Sequence, residues 1–462
     1  MNTLAQLASV LDATWLGGDT PVQRFSTDTR QIAAGDLFVA LRGPRFDGAD
    51  FAAGAVAAGA VGAVVMRDSL DKITASPLYQ AAPFPLLGVD DTRLALGQLA
   101  AHWRDTYPVP LIGLTGSNGK TTVKEMIAAI LRQAVGEEAV LATQGNLNND
   151  IGMPLMLGRL HAGHRYAVLE MGMNHAGEID YLTQIARPNV ALINNASGAH
   201  LAGLGSVAGV AEAKGEILAG LAMDGIAVLN ADDAHIGRWR ELAGTRQRLA
   251  FGLHTEADIS AVWHALPQGA QLEVTTPAGS FSVTLQVCGE HNVRNALAAT
   301  AACLAVGIAL SDIAAGLAQF TGVAGRQQPK NGAAGATLLD DTYNANPASM
   351  RAAIEVLSAR PGRRVLIIGD MGELGADAPA LHAEVGALAR NRGIDVLLAL
   401  GEFSAGAVAA FGAGGQHFAD LDSLLAVART WLAADTTLLI KGSRFMKMER
   451  VVAALQADTT AG

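Results

Sequence analysis

Three features of the sequence predict a multidomain α/β protein built on parallel sheets covered by helices. The chain has 462 residues, more than one hydrophobic core usually supports. Short apolar runs ending in glycine or polar residues recur with helical patterns between them, an alternation that requires crossover connections and hence parallel strands. The composition agrees: 50% hydrophobic residues with 52 glycines and only 5% aromatics suit close packing of small side chains between helix and sheet.

The first 84 residues are expected to form a small α/β unit. It contains GDLFVALRG, an apolar strand held between glycines, and ends at the breaker Pro83-Phe84-Pro85. A central unit, 85–325, follows, with strands predicted at Pro110–Thr115, Tyr166–Glu170, Asn189–Asn194 and Ile226–Asn230. The more polar, alternating stretch ISAVWHALPQGAQLEVTTPAGSFSVTLQV reads as antiparallel hairpins appended to that sheet. From Arg326 to residue 462 the βα alternation restarts with ATLLDD, RRVLIIGD, DVLLAL and TLLIKG, which predicts a third, doubly wound domain of Rossmann-like type.

A formal charge of −10 with both signs interspersed leaves no basic stripe to follow a phosphate backbone, so nucleic acid is excluded as a partner. Two cysteines, Cys288 and Cys303, read as reduced, buried thiols in a reducing cytoplasm. The opening MNTLAQLASVLDATWLGGD lacks a basic n-region and carries Asp12 in its apolar stretch, so it is not expected to be a secretory signal. The longest uncharged run, 51–66, is shorter than the ~20 residues of a membrane-spanning helix and reads as a core helix and strand.

The strongest local signal is LIGLTGSNGKTTVKEMIAAIL, an apolar strand, a Gly-rich turn and a helix with Val123, Met126, Ile127, Ile130 and Leu131 on one face. This is the pattern of a P-loop ATPase-like phosphate cradle. Backbone N–H groups and the helix dipole hold phosphate oxygens, Lys120 supplies charge, and the Thr121 hydroxyl can ligate magnesium. The usual first glycine is replaced by Leu114, with Gly116 following. Glu170 closes the strand YAVLE, where a doubly wound sheet places its ligands, and with Thr121 it makes a pair of oxygen donors suited to magnesium.

Other polar residues are ambiguous on sequence alone. Helical spacing makes Lys214 in VAEAKGEILAGL a solvated surface lysine, and His200 in ASGAHLAGLGS is ordinarily a surface or packing histidine. His291, Asn292 and Asn295 open a helix and could serve only as caps. Gly369-Asp-Met-Gly372-Glu-Leu-Gly375 follows a strand, but its glycine spacing does not fit a nicotinamide site. His161, His164 and His175 make no zinc pattern with the cysteines.

Taken in order, these segments resemble the Mur ligases over nearly the whole chain. TGSNGKTT resembles the family's ATP loop, GNLNNDIGMP the loop that follows, LEMGMNHAGEI its magnesium carboxylate, and NASGAHLAGLGSVAGVAEAKGEI a segment with a magnesium histidine and a carbamylated lysine. GEHNVRNALAA and GRQQPK resemble adenine-side and interdomain segments, and DDTYNANPASMRAA and KGSRFMKME resemble loops closing over nucleotide and substrate. The resemblance implies ATP contacts at Gly116, Ser117, Asn118, Gly119, Lys120, Thr121, Thr122, Asn149, Asn295, Arg326 and Asp341. It implies catalytic roles for Lys120, His200 and Lys214, and two magnesium ions held by Thr121, Glu170, His200 and a carbamylated Lys214.

STDTRQIAAGDLFVALRGPRFDG and DDTYNANPASM resemble the branch of the family that adds D-alanyl-D-alanine to UDP-N-acetylmuramoyl-tripeptide. The first unit then becomes a uridine-nucleotide-binding domain with Ser26, Thr27, Asp28, Arg30, Arg42, Phe46 and Asp47 as contacts, and Tyr343, Asn344 and Asn346 face substrate. The implied enzyme is a cytoplasmic monomer of peptidoglycan precursor synthesis acting through an acyl phosphate. A folylpolyglutamate-type ligase would not need the first unit. A P-loop switch protein would hydrolyse ATP without an acceptor.

Overall fold

The computed structural model describes residues 2–198 and 201–457. The first sheet has five strands in the spatial order Thr14–Leu16, Leu86–Val89, Gly62–Met66, Asp36–Val39 and Arg24–Ser26, all parallel except the first pair. Its third strand in chain order, Asp36–Val39, is the core of GDLFVALRG, and its last, Leu86–Val89, lies beyond Pro83-Phe84-Pro85. The breaker therefore introduces a strand instead of ending the unit. Proline favours the extended conformation that a strand needs, and the ladder donors follow it.

The central sheet is wholly parallel, in the order Gln247–Phe251, Ile226–Asn230, Val190–Ile193, Leu111–Thr115, Tyr166–Glu170 and Val140–Ala142. The order in which the chain adds strands switches sides at Leu111–Thr115, which puts a crevice at its carboxyl end. On one face the helix Lys120–Val135 buries Val123, Met126, Ile127, Ile130 and Leu131 completely, together with the helix Glu290–Ala305. On the other face the core is continuous with that of the first sheet; Phe25 meets Trp103 edge-on at 5.4 Å between ring centres. The hairpins form a three-stranded antiparallel sheet of their own, Ser260–Leu266, Gly269–Thr276 and Gly279–Leu285. It packs into the core under the helices Lys120–Val135 and Glu290–Ala305 through Leu272, Val274 and Leu285.

The last sheet runs Gln328–Asn331, Thr337–Asp341, Thr436–Lys441, Arg363–Gly369, Val396–Leu400 and Gly415–Phe418, with only the first strand antiparallel. Separate apolar clusters cover its two faces. Of the two thiols, Cys303 is buried, whereas Cys288 is half-buried and its sulfur takes a hydrogen bond from Arg360 at 3.4 Å. No helix among the described residues is long and apolar enough to cross a membrane.

Candidate active site

The carboxyl ends of the central and last sheets face each other across a cleft of about 1080 Å³. One wall is the phosphate loop. Leu111–Thr115 delivers it, and Gly119, in the left-handed region at φ 78°, caps the helix Lys120–Val135. A β-carbon at Gly119 would come within 2.5 Å of Asn295 Oδ1 and 2.7 Å of Asn194 Nδ2, so both backbone and space demand glycine here. The first N–H groups of that helix have no intrahelical acceptor and form the anion-binding end of the element.

Asparagines hold the loop open. The Asn118 N–H donates to Asn195 Oδ1 at 2.9 Å, and the Asn118 carbonyl accepts from the side chains of Asn194 (2.9 Å) and Asn195 (3.0 Å). Asn118 Nδ2 donates to Ser197 Oγ at 2.9 Å. Asn194 also donates to Asn295 Oδ1 at 3.2 Å, linking the loop to the helix that Asn292 and Asn295 open. Lys120 Nζ donates to the Gly116 carbonyl at 2.6 Å. Desolvation, with Arg326 adding to it against Glu170, holds its ammonium below the usual lysine range.

Glu170, only 3% exposed at the end of Tyr166–Glu170, accepts from Thr121 Oγ1 at 3.1 Å and from Asn148 Nδ2 at 2.8 Å. Arg326 donates to the same Thr121 hydroxyl at 3.1 Å and lies over the Tyr343 ring at 4.1 Å. A buried carboxylate and a hydroxyl are a donor set for a hard cation, and they fit magnesium completed by phosphate oxygens and water. Among the described residues no group of three His, Cys, Asp or Glu side chains could hold a metal unaided.

Lys214 is not a surface residue. It is 1% exposed at the end of the helix Val207–Gly215 and lines the cleft, with Lys120 and Glu170 as its charged neighbours. Burial, reinforced by Lys120, pushes its ammonium well below the ordinary range. His200 lies outside the described residues.

On the opposite wall Asp341 closes the strand Thr337–Asp341 and pairs with Lys441 at 2.8 Å; both are buried. Burial raises the Asp341 carboxyl, and the Lys441 cation opposes that. Lys441 also donates to the Asn344 carbonyl at 2.8 Å. Asn346 crosses the cleft, donating to Asn118 Oδ1 at 2.8 Å. His291, on the cleft floor near Lys441 and Arg294, is lowered to about 4, chiefly by desolvation.

Ser117, Asn118, Gly119, Lys120, Thr122, Asn149, Glu170, Lys214, Asn295, Arg326, Asp341, Tyr343, Asn344 and Asn346 thus all line one cleft, and Thr121 joins them through Glu170 and Arg326. Asn149 turns its carbonyl oxygen back onto Gly152 N at 2.8 Å, and its neighbour Asn148 holds Glu170. Sequence reasoning missed Asn148, Asn194, Asn195 and Ser197; the asparagine pairs in GNLNND and INNAS were their signal.

Ser26, Thr27, Asp28, Arg30, Arg42, Phe46 and Asp47 do not line this cleft. In the first unit Asp28 pairs with Arg30 at 2.8 Å, Arg42 pairs with Asp47 (2.9 Å) and Asp68 (2.8 Å), and Phe46 is exposed beside Phe51.

Comparison with known proteins matches three family models: the Mur ligase family catalytic domain over 21–104, the Mur ligase middle domain over 114–303, and the Mur ligase glutamate ligase domain over 325–444. The chain is 46% identical to the UDP-N-acetylmuramoyl-tripeptide--D-alanyl-D-alanine ligase of Escherichia coli K12, covering 99% of each chain. It is similar in structure to MurF from Acinetobacter baumannii, with a TM-score of 0.88 at 38% identity over 97% of both chains. MurF ligase from Thermotoga maritima in complex with ADP gives 0.80 at 27% identity, covering 93% of this chain and 96% of that one. The chain therefore belongs to the Mur ligase family.

Proposed function

We propose that the chain joins D-alanyl-D-alanine to the terminal carboxylate of UDP-N-acetylmuramoyl-tripeptide, converting ATP to ADP and phosphate. The observation that carries this reading is the cleft itself: a phosphate loop on one sheet faces a second, differently built wall on another, with Asn118 and Asn346 in contact across it. A switch protein needs only the first wall. The identity of the acceptor and of the UDP-linked donor comes from the E. coli relative's name and its near-complete coverage.

In the reaction the tripeptide carboxylate takes the γ-phosphoryl group, giving an acyl phosphate and ADP. The dipeptide amine then attacks the acyl carbon, loses its proton, and expels phosphate. Phosphoryl transfer needs positioning and charge neutralisation more than covalent help. Lys120 and the N–H groups of its helix supply these at the transferred phosphate. Thr121 and Glu170 would hold magnesium, with Asn148 fixing the rotation of the carboxylate. When bound, the cation adds further neutralisation of phosphate charge. An acyl phosphate is lost to water, so the reaction calls for the two walls to close over it.

Lys214 is read as carbamylated. Its amine adds carbon dioxide with loss of a proton, giving an anionic oxygen donor, and the support is its burial, its lowered ammonium pKa and its place beside Glu170 and Lys120. His200 is assigned to the same second cation by its position in the motif. We assign the first unit to the uridine nucleotide, with Ser26, Thr27, Asp28, Arg30, Arg42, Phe46 and Asp47 as its contacts, the central unit to ATP and the last, from about 326, to the acceptor. We assign the enzyme to the cytoplasm, where ATP and UDP-linked precursors are available.

The test is phosphate release with each substrate in turn. Release should require UDP-tripeptide and D-alanyl-D-alanine together. Equal turnover with free D-alanine, with a diamino acid, or with no acceptor defeats the reading.

A further inference from the structure

The loop 171–177 leaves the strand that ends in Glu170, and Gly172, Met173 and Asn174 line the cleft along it. Its near end is pinned to the central sheet and its neighbouring loop. The Met171 N–H donates to the Leu114 carbonyl at 2.8 Å, Thr115 Oγ1 donates to the Met171 carbonyl at 2.9 Å, and the Gly172 N–H donates to the Asn148 carbonyl at 2.8 Å. The far end enters the helix Glu178–Ala186 through Gly177, which adopts φ 84° and has no side chain with which to cap that helix.

Glu216 supplies the cap from a different segment. Its Oε1 accepts from the Gly177 N–H at 2.8 Å and its Oε2 from the Asp180 N–H at 3.1 Å. Asp180 is the third residue of the helix, whose N–H an N-cap side chain ordinarily takes, and a carboxylate there also meets the positive end of the helix dipole. The strap continues along the helix. Buried Thr183 donates its hydroxyl to the Ile217 carbonyl at 2.9 Å, and a β-carbon on Gly220 would collide with the Thr183 carbonyl, so only glycine lets the chain pass this close.

Glu216 follows Lys214 by two residues, where the helix Val207–Gly215 gives way to the 3₁₀ turn Glu216–Leu218. From the other side buried Trp239 donates its indole N–H to the Ala211 carbonyl at 2.9 Å. Trp239 thus fixes the body of the Lys214 helix, and Glu216 fixes its end. Glu170 and Lys214 stand at the two ends of one path that runs through the loop 171–177, the capped helix and Glu216. Both side chains are buried and they are charged neighbours, so a shift of the turn moves the amine relative to the carboxylate.

We propose that Glu216 is a positioning residue for Lys214: by capping the helix Glu178–Ala186 in place of Gly177, it holds the turn that sets the Lys214 side chain against Glu170, an inference that rests on the catalytic role assigned to Lys214 above.

The experiment is a double-mutant cycle in the full-length enzyme. It reads kcat for ligation and amide hydrogen exchange in the wild type, Glu216→Ala, Glu216→Gln, Lys214→Ala and the two double variants. Glu216→Ala should lower kcat about tenfold, the effect of misplacing a reacting group without removing it. It should also speed exchange of the Gly177 and Asp180 amides at least about tenfold. Glu216→Gln, which keeps one acceptor oxygen, should lower kcat about fivefold; it decides the matter if Glu216→Ala does not fold. In the Lys214→Ala background, where there is no amine to place, neither change at Glu216 should slow the residual turnover by more than about twofold. Changes at Glu216 that leave kcat at the wild-type value, or that slow Lys214→Ala as much as they slow the wild type, overturn the proposal, as does unaltered exchange at the two amides. A Lys214→Ala enzyme as fast as the wild type defeats the reading of Lys214 and, with it, the role of Glu216.

Discussion

Asn346 Nδ2 donates to Asn118 Oδ1 at 2.8 Å, and this contact ties the head of the helix Pro347–Ser358 on the last sheet to the phosphate loop of the central one. Asn346 has a second task, since its Oδ1 caps that helix by accepting from Ser349 N at 2.9 Å. Asn346→Ser separates the two, because serine is a good N-cap but is too short to reach Asn118. The thermal midpoint should stay within a few degrees of wild type. The ATP KM should rise by about tenfold, the effect of one lost half-buried hydrogen bond on a loop that must stay pre-organised. An unchanged ATP KM would mean that the contact only joins the walls.

The parts of the site legible in the sequence are those whose function is local. Gly119, Lys120 and Thr121 form one turn, and Glu170 ends an apolar strand, so strand-loop-helix grammar places them. Lys214 was not legible from the residues alone. Its helix is apolar nearly all round, and Val210, Ala211 and Ala213 are buried on several sides, but one lysine in such a pattern reads as the exposed edge. Asn148 reaches Glu170 from the loop beyond Val140–Ala142, and Asn194 and Asn195 reach Asn118 from the end of Val190–Ile193, a register between strand ends that no single segment encodes. The strand Gln247–Phe251 escaped because its edge position leaves a polar sequence, and Val140–Ala142 because three residues carry no periodicity. Pro83-Phe84-Pro85 reads as a stop, yet it leads into the strand Leu86–Val89.

Lys120→Ala and Glu170→Ala should each lower the rate of ligation at least about a hundredfold, since each removes charge that meets the phosphates or their cation. Neither empties an apolar core. Burial already disfavours the Lys120 cation, so its removal should leave the thermal midpoint at or near that of the wild type. Wild-type turnover in Glu170→Ala would reduce that carboxylate to a strand-end residue held by Asn148.

His291 gives the fold an acid-sensitive point. Its ring is lowered from 6.5 to about 4 by desolvation first, then by Lys441 and Arg294. The unfolded chain therefore binds this proton more readily than the native one. The stability associated with the neutral ring is intact above about pH 6.5 and is lost as pH falls towards about 4. The loss amounts to at most about 3 kcal/mol, and solvent in the open cleft reduces it, because the ring is only half-buried. Denaturation followed between these pH values should show a shallower slope in His291→Gln than in the wild type. Parallel slopes would place the acid sensitivity elsewhere.

Lys214 offers the sharpest test, because its charge must change sign for the proposed chemistry. As an ammonium it would repel cations beside Glu170 and Lys120, and burial already opposes that form. The neutral amine that burial favours is the species that adds carbon dioxide, and the resulting carbamate is an anion matched to a hard cation. Lys214→Ala should be nearly inactive, and formate or acetate added to the assay should restore part of the turnover by placing a carboxylate in the vacated space. Wild-type enzyme freed of carbon dioxide should lose activity and regain it with bicarbonate. If Lys214→Ala keeps full activity, or if the inactive variant ignores every small carboxylate while the wild type ignores bicarbonate, the residue is a buried neutral lysine and the carbamate assignment fails.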